Sequence, residues 1–584
     1  MDVDSLLIMS DSGKEIVGTR DKSVTHITIP NNVTSIGYGA FQDCTSLECI
    51  DIPFSVNVIC SNAFSGCSSL ETIDIPYSVK EIGNWAFSGC TSLKGIVIPD
   101  SVTTIGYGAF SGCTSLENVD IPYSLTEICG SVFSGCISLE NIDIPKSVVK
   151  IGWCAFSGCT SLKSIDIPNS VTEIDTWAFK DCSSLKSIVI PDSIGILSEK
   201  IFQGCTSLEC IDIPNSVTSI GDRAFEDCAS LKTISIPSSI TSIGESLFIG
   251  CASLKSVDIP NSVTVIKESF HNCTYLKSIN IPNSVTTIGK NAFAGCTSLE
   301  SIVIPKSANI GINAFSGCIS LKNVDIQNSM CIGESAFSDC TSLENIVLPN
   351  SIRAIRWRAF ANCTSLKAVS LSDSLKELCG GAFENCTSLE SIEIPNSLWE
   401  IGMHAFSGCS SLKSIDMANS VEKIGHKAFE GCISLKSILI PNSVKEIGSE
   451  AFKGCSSLED IVISNSVKKI WDGAFENCVS LKNIDIPDSV RKIGSFAFRG
   501  CVLLECISLP ASEDCNIDDD VFSGCTSLKI IRSQVIKPDF NAISLNSFDG
   551  FDIDECTLYI PSGTRWTYRH HPGFGKFKNI EIEN

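Results

Sequence analysis

Residues 155–174 read A-F-S-G-C-T-S-L-K-S-I-D-I-P-N-S-V-T-E-I, and close copies of this stretch recur along almost the whole chain. The most regular feature of the copies is a phenylalanine followed three residues later by a cysteine, from Phe41 and Cys44 to Phe522 and Cys525. There are 22 such pairs, nearly all 23 residues apart. A fixed period in the twenties is typical of a solenoid, in which each unit packs only on its neighbours. The spacing therefore predicts a repeat solenoid.

Each unit contains one clear strand signal. In residues 162–168, the inward-facing Ile165 and Ile167 alternate with the outward-facing Ser164 and Asp166. The proline that follows lacks an amide proton and should end the strand. The Ala-Phe segment of each unit is expected to form a single helical or 3-10 turn. A small alanine beside a large phenylalanine would let neighbouring coils approach closely.

The ends of the chain depart from the repeat and predict caps. Two short apolar segments flank Asp11-Ser12-Gly13, so residues 1–22 are interpreted as an N-terminal hairpin cap. Residues 23–531 form the predicted solenoid of about 22 repeats of 23 residues. Residues 532–584 are interpreted as a repeat remnant and a C-terminal cap, with a short helix and a closing strand within 562–580.

The composition excludes several classes of function. A net charge of -23 argues against binding of nucleic acid, because contacts to phosphates need basic patches. No apolar run approaches the length of a membrane span, so membrane insertion is not expected. The N-terminal residues show no secretory signal, which leaves a cytoplasmic location open.

Cysteine is unusually frequent, with 32 residues, of which 22 occupy one repeat position. Stacked units would place their Cβ vectors parallel instead of converging, so disulfides along the stack are not expected. The sequence has no Cys-x-x-Cys or paired Cys/His spacing, so no metal site is expected either. We interpret this position as a ladder of free thiols in which cysteine acts as a small buried apolar residue.

The recurring pattern Cys-x-x-Leu-x-x-Ile-x-Ile-Pro-x-x-Val-x-x-Ile-Gly-x-x-Ala-Phe-x-Gly resembles the BspA-like (Treponema-type) leucine-rich repeat, over about residues 23–531. The resemblance implies a right-handed leucine-rich-repeat arc with a parallel β-sheet on its concave face. It also implies a non-enzymatic protein-interaction or adhesion module, since the family includes surface antigens implicated in adhesion to host proteins and other cells. A cell-surface or extracellular location follows from the resemblance alone.

The outward strand position between the two isoleucines is aspartate in ten units and valine in several others. Stacked carboxylates repel one another and could recruit calcium or a basic partner, although a solvated acidic face that keeps the solenoid soluble is the simpler interpretation. A carbohydrate-active enzyme is the minor alternative, because a regular row lacks the unequal environments that catalysis needs. No catalytic residue and no cofactor is predicted. The candidate contact residues are Asp51, Asp74, Asp120, Asp143, Asp166, Asp212 and Asp258.

Four tryptophans precede the Ala-Phe turn of their units: Trp85, Trp153, Trp177 and Trp357. Such aromatics could form an exposed stripe that binds protein or glycan, or they could cover the turn beneath them. The sequence does not distinguish these two interpretations.

Taken together, these features predict a protein-binding or adhesion module whose partner is a protein, on a host or a neighbouring cell, with a glycan as a second class of partner. The alternative is an intracellular scaffold, which the many free thiols favour because thiols persist in a reducing compartment.

Overall fold

The computed structural model describes residues 6–539 and 542–583. Residues 1–5, 540, 541 and 584, which belong to the two predicted caps, lie outside the described residues. The chain divides into two compact units, Met1–Ser284 and Val285–Asn584. Both units are parallel-strand β-solenoids of stacked coils, as the repeat period predicts.

Most coils contribute two short strands, which form two rows of short parallel sheets along each unit. The first strand row is the one that the sequence predicts, ending before the proline. The second row follows the turn and in most coils begins two residues after the valine, or other apolar residue, of the Pro-x-x-Val pattern. Its strands are only two residues long, and they carry no alternation from which they could be predicted.

In the first unit, an N-terminal antiparallel hairpin of Leu7–Met9 and Glu15–Thr19 continues in parallel into the second row. The first row comprises His26–Thr28, Cys49–Asp51, Thr72–Ile73, Gly95–Val97, Asn118–Asp120, Ser187–Val189, Cys210–Asp212, Thr233–Ser235 and Ser256–Asp258. The second row comprises Ser35–Ile36, Val58–Ile59, Glu81–Ile82, Thr104–Ile105, Glu127–Ile128, Lys150–Ile151, Glu173–Ile174, Ile196–Leu197, Ser219–Ile220, Ser242–Ile243 and Val265–Ile266.

In the second unit, the first row comprises Ser301–Ile304, Asn323–Ile326, Asn345–Val347, Ala368–Ser370, Ser391–Glu393, Ser414–Asp416, Ser437–Leu439, Asp460–Val462, Asn483–Asp485, Cys506–Leu509, Ile530–Ser533, Thr557–Pro561 and Asn579–Glu583. The second row comprises Thr287–Ile288, Asn309–Ile310, Cys331–Ile332, Ala354–Ile355, Glu377–Leu378, Glu400–Ile401, Lys423–Ile424, Glu446–Ile447, Lys469–Ile470, Lys492–Ile493 and Asn516–Ile517.

The strand predicted at residues 162–168 is shorter than expected. Ile165 and Ile167 are buried and Ser164 and Asp166 exposed, as the alternation predicts, but only Asp166 forms a ladder contact, a parallel bridge to Asp143.

Helix is almost absent from the described residues, which contain one six-residue helix, Arg565–His570, and a 3-10 turn, Phe574–Lys576. Both lie in the predicted C-terminal cap, before the strand Asn579–Glu583. None of the described helices is long and apolar enough to span a membrane.

The Ala-Phe segments form turns. At Phe87, for example, the i→i+3 bonds expected of a 3-10 turn are present, from the Ala86 amide to the Gly83 carbonyl and from Ser88 to Trp85. However, Trp85 adopts a left-handed backbone with φ of 53°, which interrupts any regular helix. The Phe87 amide instead bonds laterally to the Ala109 carbonyl of the next coil, at 2.8 Å. The segment therefore helps to hold neighbouring coils together.

The core of each unit is a stack of phenylalanine rings. Phe87 and Phe110 lie 5.4 Å apart between ring centroids, with planes 1° apart, and their neighbours repeat this arrangement. These phenylalanines are fully buried. Aromatic pairs at this separation add about 0.5–1.5 kcal/mol each beyond the area they bury.

The cysteine ladder does more than fill space. All 32 cysteines are free thiols, and those of the ladder are buried. The Cys159 Sγ donates to the Phe133 carbonyl of the preceding coil at 3.1 Å, and the same bond recurs along both units. Burial raises the pKa of the Cys159 thiol to about 12, which keeps the thiol protonated as a donor. The interpretation of cysteine as an apolar filler is thus incomplete.

Candidate functional site

The candidate site is the strand face, which we define as the outward-facing residue between the two inward-facing apolar residues of the first strand segment in each coil, as Asp166 lies between Ile165 and Ile167. All seven predicted aspartates of this face are exposed. Asp143 and Asp166 lie side by side through their bridge, whereas Asp212 lies between Val189 and Ser235 in the strand register. The structure therefore brings only some of the predicted carboxylates into adjacent coils, and other units interpose apolar or hydroxyl side chains.

Most of these carboxylates remain open to solvent and to partners. Asp51 accepts a hydrogen bond from the Thr28 hydroxyl at 3.0 Å and lies 3.2 Å from the His26 Nε2. Within the described ranges, the other six form no ion pair. Over the same residues, no group of three or more His, Cys, Asp or Glu side chains is placed to hold a metal ion. The geometry is that of an extended charged surface.

The strand face of the second unit contains a cavity of about 440 Å³. Val303, Asp325 and Val347 line it from three successive coils. The two valines are 49% and 70% exposed, so an isolated carboxylate is flanked by apolar side chains. This is a recess that could take one protruding side chain of a partner.

The predicted tryptophans occupy two repeat positions, in four separate coils. Trp85 and Trp177 lie two residues before the core phenylalanine of their units, and Trp153 and Trp357 lie three before it. Three of them are nearly half exposed, and Trp177 is partly exposed beneath the Lys200 ammonium, 5.2 Å from its ring.

Three of the tryptophans also cover a neighbouring coil. Any Cβ on Gly108 would lie 2.5 Å from the Trp85 ring, and the same holds for Gly130 beneath Trp153 at 2.4 Å. Gly380 likewise lies beneath Trp357. Each ring therefore has one face on a glycine and the other toward solvent, which combines the two interpretations that the sequence left open.

Trp357 also lines a shallow cavity of about 210 Å³ in the second unit, together with Trp399 and Met403. Gly380 forms part of its wall, where a Cβ would meet both the Trp357 ring and the Met403 side chain. Trp399 lies after the turn instead of before the Ala-Phe segment and was not among the predicted aromatics.

Three exposed aromatics were also missed: Phe54, Tyr77 and Tyr123, each directly after the proline of its unit. The signal that could have identified them is departure from the repeat, because most units place asparagine or aspartate at this position.

Comparison with known proteins identifies the family of the repeat. The model of the BspA type Leucine rich repeat region matches the chain over residues 20–140, 126–255, 241–355, 330–459 and 445–565. The chain belongs to the BspA-type leucine-rich repeat family. A search of curated protein sequences finds no match.

Solved structures of leucine-rich repeat proteins are similar to this BspA-type chain. One from Bacteroides ovatus is 36% identical, with a TM-score of 0.48, over 58% of this chain and 83% of that one. The T. pallidum Leucine Rich Repeat protein is 33% identical, with a TM-score of 0.27, over 31% of this chain and 78% of that one. One from Eubacterium ventriosum is 22% identical, with a TM-score of 0.32, over 56% and 95%.

The BspA-type leucine-rich repeat suggests a protein-interaction or adhesion module. Proteins built from leucine-rich repeats are generally non-enzymatic scaffolds, and the matched family is not a catalytic one. BspA-type proteins are often associated with the cell surface.

Proposed function

We propose that this protein is a non-catalytic adhesion module that binds a partner protein on the strand face. The observation that supports the proposal is the contrast between the buried and the outward positions of the repeat. Buried positions repeat Leu, Ile, Phe and Cys almost without change, whereas across the repeats the strand face varies among Asp, Val, Ser, Thr, Asn, Glu and Leu. Side chains that vary while the scaffold stays constant are the ones able to determine which partner binds.

The apolar members of the strand face support a protein partner. Val189, Val347 and Leu439 are 73%, 70% and 65% exposed. Interfaces place apolar contacts among polar ones, and their energy concentrates in a few such side chains. A row of carboxylates interrupted by apolar side chains fits that composition better than a purely solvating surface does.

The test is a display library of random peptides selected on the full-length protein and then assayed against two variants. Asp120→Lys/Asp143→Lys/Asp166→Lys reverses the charge of the strand face. Its matched control is Glu81→Lys/Glu127→Lys/Glu245→Lys, which changes the net charge equally. These three glutamates are exposed on or near the second row. We expect selected peptides to lose most of their affinity for the strand-face variant and to retain it for the control. A library that yields no binder, or binders that both variants retain, would overturn the proposal.

Two further elements of the proposal have their own measurements. We propose that binding requires no cofactor. Calcium at the Asp143–Asp166 pair is the one candidate, and repeating the assay with a chelator tests it.

The proposed location is the cell surface, where protease added to intact cells should cleave the protein. Complete protection would favour the intracellular scaffold instead.

A further inference from the structure

Phe54, Tyr77 and Tyr123 form a second exposed feature, which we call the aromatic turn row. Their exposed fractions are 79%, 73% and 76%, among the highest of any large apolar side chain in the described residues. Each follows the proline that ends a strand of the first row, so the three occupy one position in the repeat. They fall within four successive coils of the first unit.

The turn itself does not require these aromatics. At this position the repeat usually has asparagine, as in Asn169, Asn215 and Asn261, because asparagine and aspartate favour turns. A large ring here buries little surface and makes no contribution to the core. Exposed aromatics gathered in one place mark interaction sites, and tyrosine is enriched among the residues that dominate binding energy.

The coil between Tyr77 and Tyr123 places Asp100 at the same position. The Asp100 Oδ1 accepts the Tyr123 backbone N–H at 3.0 Å, which fixes the carboxylate. Asp100 is exposed and forms no ion pair with any described residue. Since neighbouring parallel strands are about 4.8 Å apart, the carboxylate has a tyrosine on the adjacent coil at each side.

This part of the chain is strongly acidic. Residues 44–144 contain eleven carboxylates and two lysines, so about a sixth of the chain carries -9 of its net charge of -23. One of the two, Lys94, is already paired with Glu71 at 3.1 Å. Asp74 and Asp120 of the strand face are exposed three residues before Tyr77 and Tyr123. At most about 10 Å of extended backbone separates each of these pairs.

Charge complementarity identifies the class of partner. A guanidinium can pair with a carboxylate and also stack on an aromatic face, which a neutral or acidic group cannot do. We propose that the aromatic turn row and Asp100 bind an arginine-rich segment of a partner polypeptide, with one arginine between Tyr77 and Tyr123 against the Asp100 carboxylate. This inference rests on the proposed function as a protein-binding module and adds to it a second contact surface and the chemistry of the partner.

The test uses the full-length protein and labelled peptides of alternating arginine and serine, lysine and serine, or glutamate and serine, at about 0.15 M salt to screen long-range attraction. Phe54→Asn/Tyr77→Asn/Tyr123→Asn restores the usual residue of the repeat and leaves the net charge unchanged. Asp100→Asn removes the charge but keeps an oxygen that can accept the Tyr123 N–H. The matched control is Asp488→Asn, because Asp488 occupies the same position and accepts the Ala511 N–H at 2.7 Å, away from the aromatic turn row.

We expect the arginine peptide to bind more tightly than the lysine peptide and the glutamate peptide not to bind. The triple variant should weaken arginine binding about tenfold, since it removes the three exposed aromatic faces on which a guanidinium could stack. Asp100→Asn should weaken it about fivefold through loss of a charge-assisted bond, and Asp488→Asn should change it by less than about twofold. Thermal unfolding of each variant checks that the fold is kept.

Arginine binding that the triple variant retains would show attraction to net charge alone and would overturn the proposal. The proposal would also be overturned if the arginine peptide does not bind and a neutral oligosaccharide binds in a way that depends on the three aromatics. If the display library yields binders of the strand face but the arginine peptide does not bind, this inference fails while the proposed function stands. If the library yields no binder and the arginine peptide binds as described, the strand face is not the binding surface, while the role as a protein-binding module and this inference stand.

Discussion

The thiols of ladder cysteines such as Cys159 bond to a backbone carbonyl one coil away, and this bond should be measurable. The Phe133 carbonyl already accepts the Cys136 amide at 3.1 Å, so the Cys159 thiol occupies its second lone pair. Cys159→Ala and Cys159→Ser remove the same sulfur, but serine keeps a donor. We expect the serine variant to be more stable than the alanine variant by about 1 kcal/mol, from urea unfolding of the two proteins.

The order of the two variants decides between two roles of the residue. If cysteine served only as an apolar filler, the buried hydroxyl would cost more than the methyl group, and the alanine variant would be the more stable. The same pair of substitutions at the exposed Cys210 is the control, and both should leave stability unchanged within about 0.5 kcal/mol.

At the scale of single residues, the sequence predicted whether a side chain is buried or exposed better than it predicted which hydrogen bonds that side chain forms. The period shows that Cys159 is buried, and the alternation shows that Asp166 is exposed. The bond from Cys159 to Phe133 joins atoms 26 residues apart, so no local pattern reveals it. A hint was present, since cysteine occurs in every one of the 22 units whereas the proline after the strand does not, as at Gln327 and Ser372.

The phenylalanine stack is the element whose removal should have the largest local effect. Phe156 lies 5.6 Å from both Phe133 and Phe179, between ring centroids. Phe156→Ala should cost about 3–5 kcal/mol, because a large buried ring leaves a cavity that the stacked coils cannot close. Hydrogen exchange should accelerate in the coils that contain these three residues, since each repeat contacts only its neighbours.

Two controls accompany that measurement. Phe54→Ala removes a ring that is 79% exposed and should leave exchange and stability unchanged. Exchange around Phe429, in the second unit, should also stay as it is in the unsubstituted protein. Equal acceleration around Phe429 would contradict nearest-neighbour coupling and would indicate that the chain opens as one cooperative body.

Elements were predictable in proportion to the length of their pattern. The first strand row follows from alternation over Leu-x-x-Ile-x-Ile-Pro. The second row does not, because strands such as Glu81–Ile82 are two residues long and are held mainly by backbone bonds to equivalent strands. The aromatic turn row was not predicted for another reason. Tyr77 does not stand out within its own unit and becomes informative only when it is aligned with the asparagine of other units.

Stability of the whole molecule should depend steeply on pH in the alkaline range. Burial raises the pKa of ladder thiols to about 12, as for Cys113, Cys363 and Cys455, from an ordinary value near 9. Below pH 9 the thiols are protonated in both states, so their contribution is fully present. Between pH 9 and 12 only the unfolded chain ionises, and each thiol then lowers the free energy of unfolding by about 1.4 kcal/mol per pH unit. We expect the urea midpoint to fall sharply as the pH rises above 9.

Repulsion within a chain of net charge -23 could also destabilise the protein at high pH, but the two causes respond differently to salt. At about 1 M salt the screening length is about 3 Å, so repulsion between surface charges is suppressed while ionisation of buried thiols is not. The fall in the midpoint should therefore persist in concentrated salt, and unfolding at pH 9.5 should release protons in numbers that reflect many thiols at once. A midpoint that stays constant up to pH 10, or a fall that salt abolishes, would show that the cysteine ladder does not set the alkaline limit of the fold.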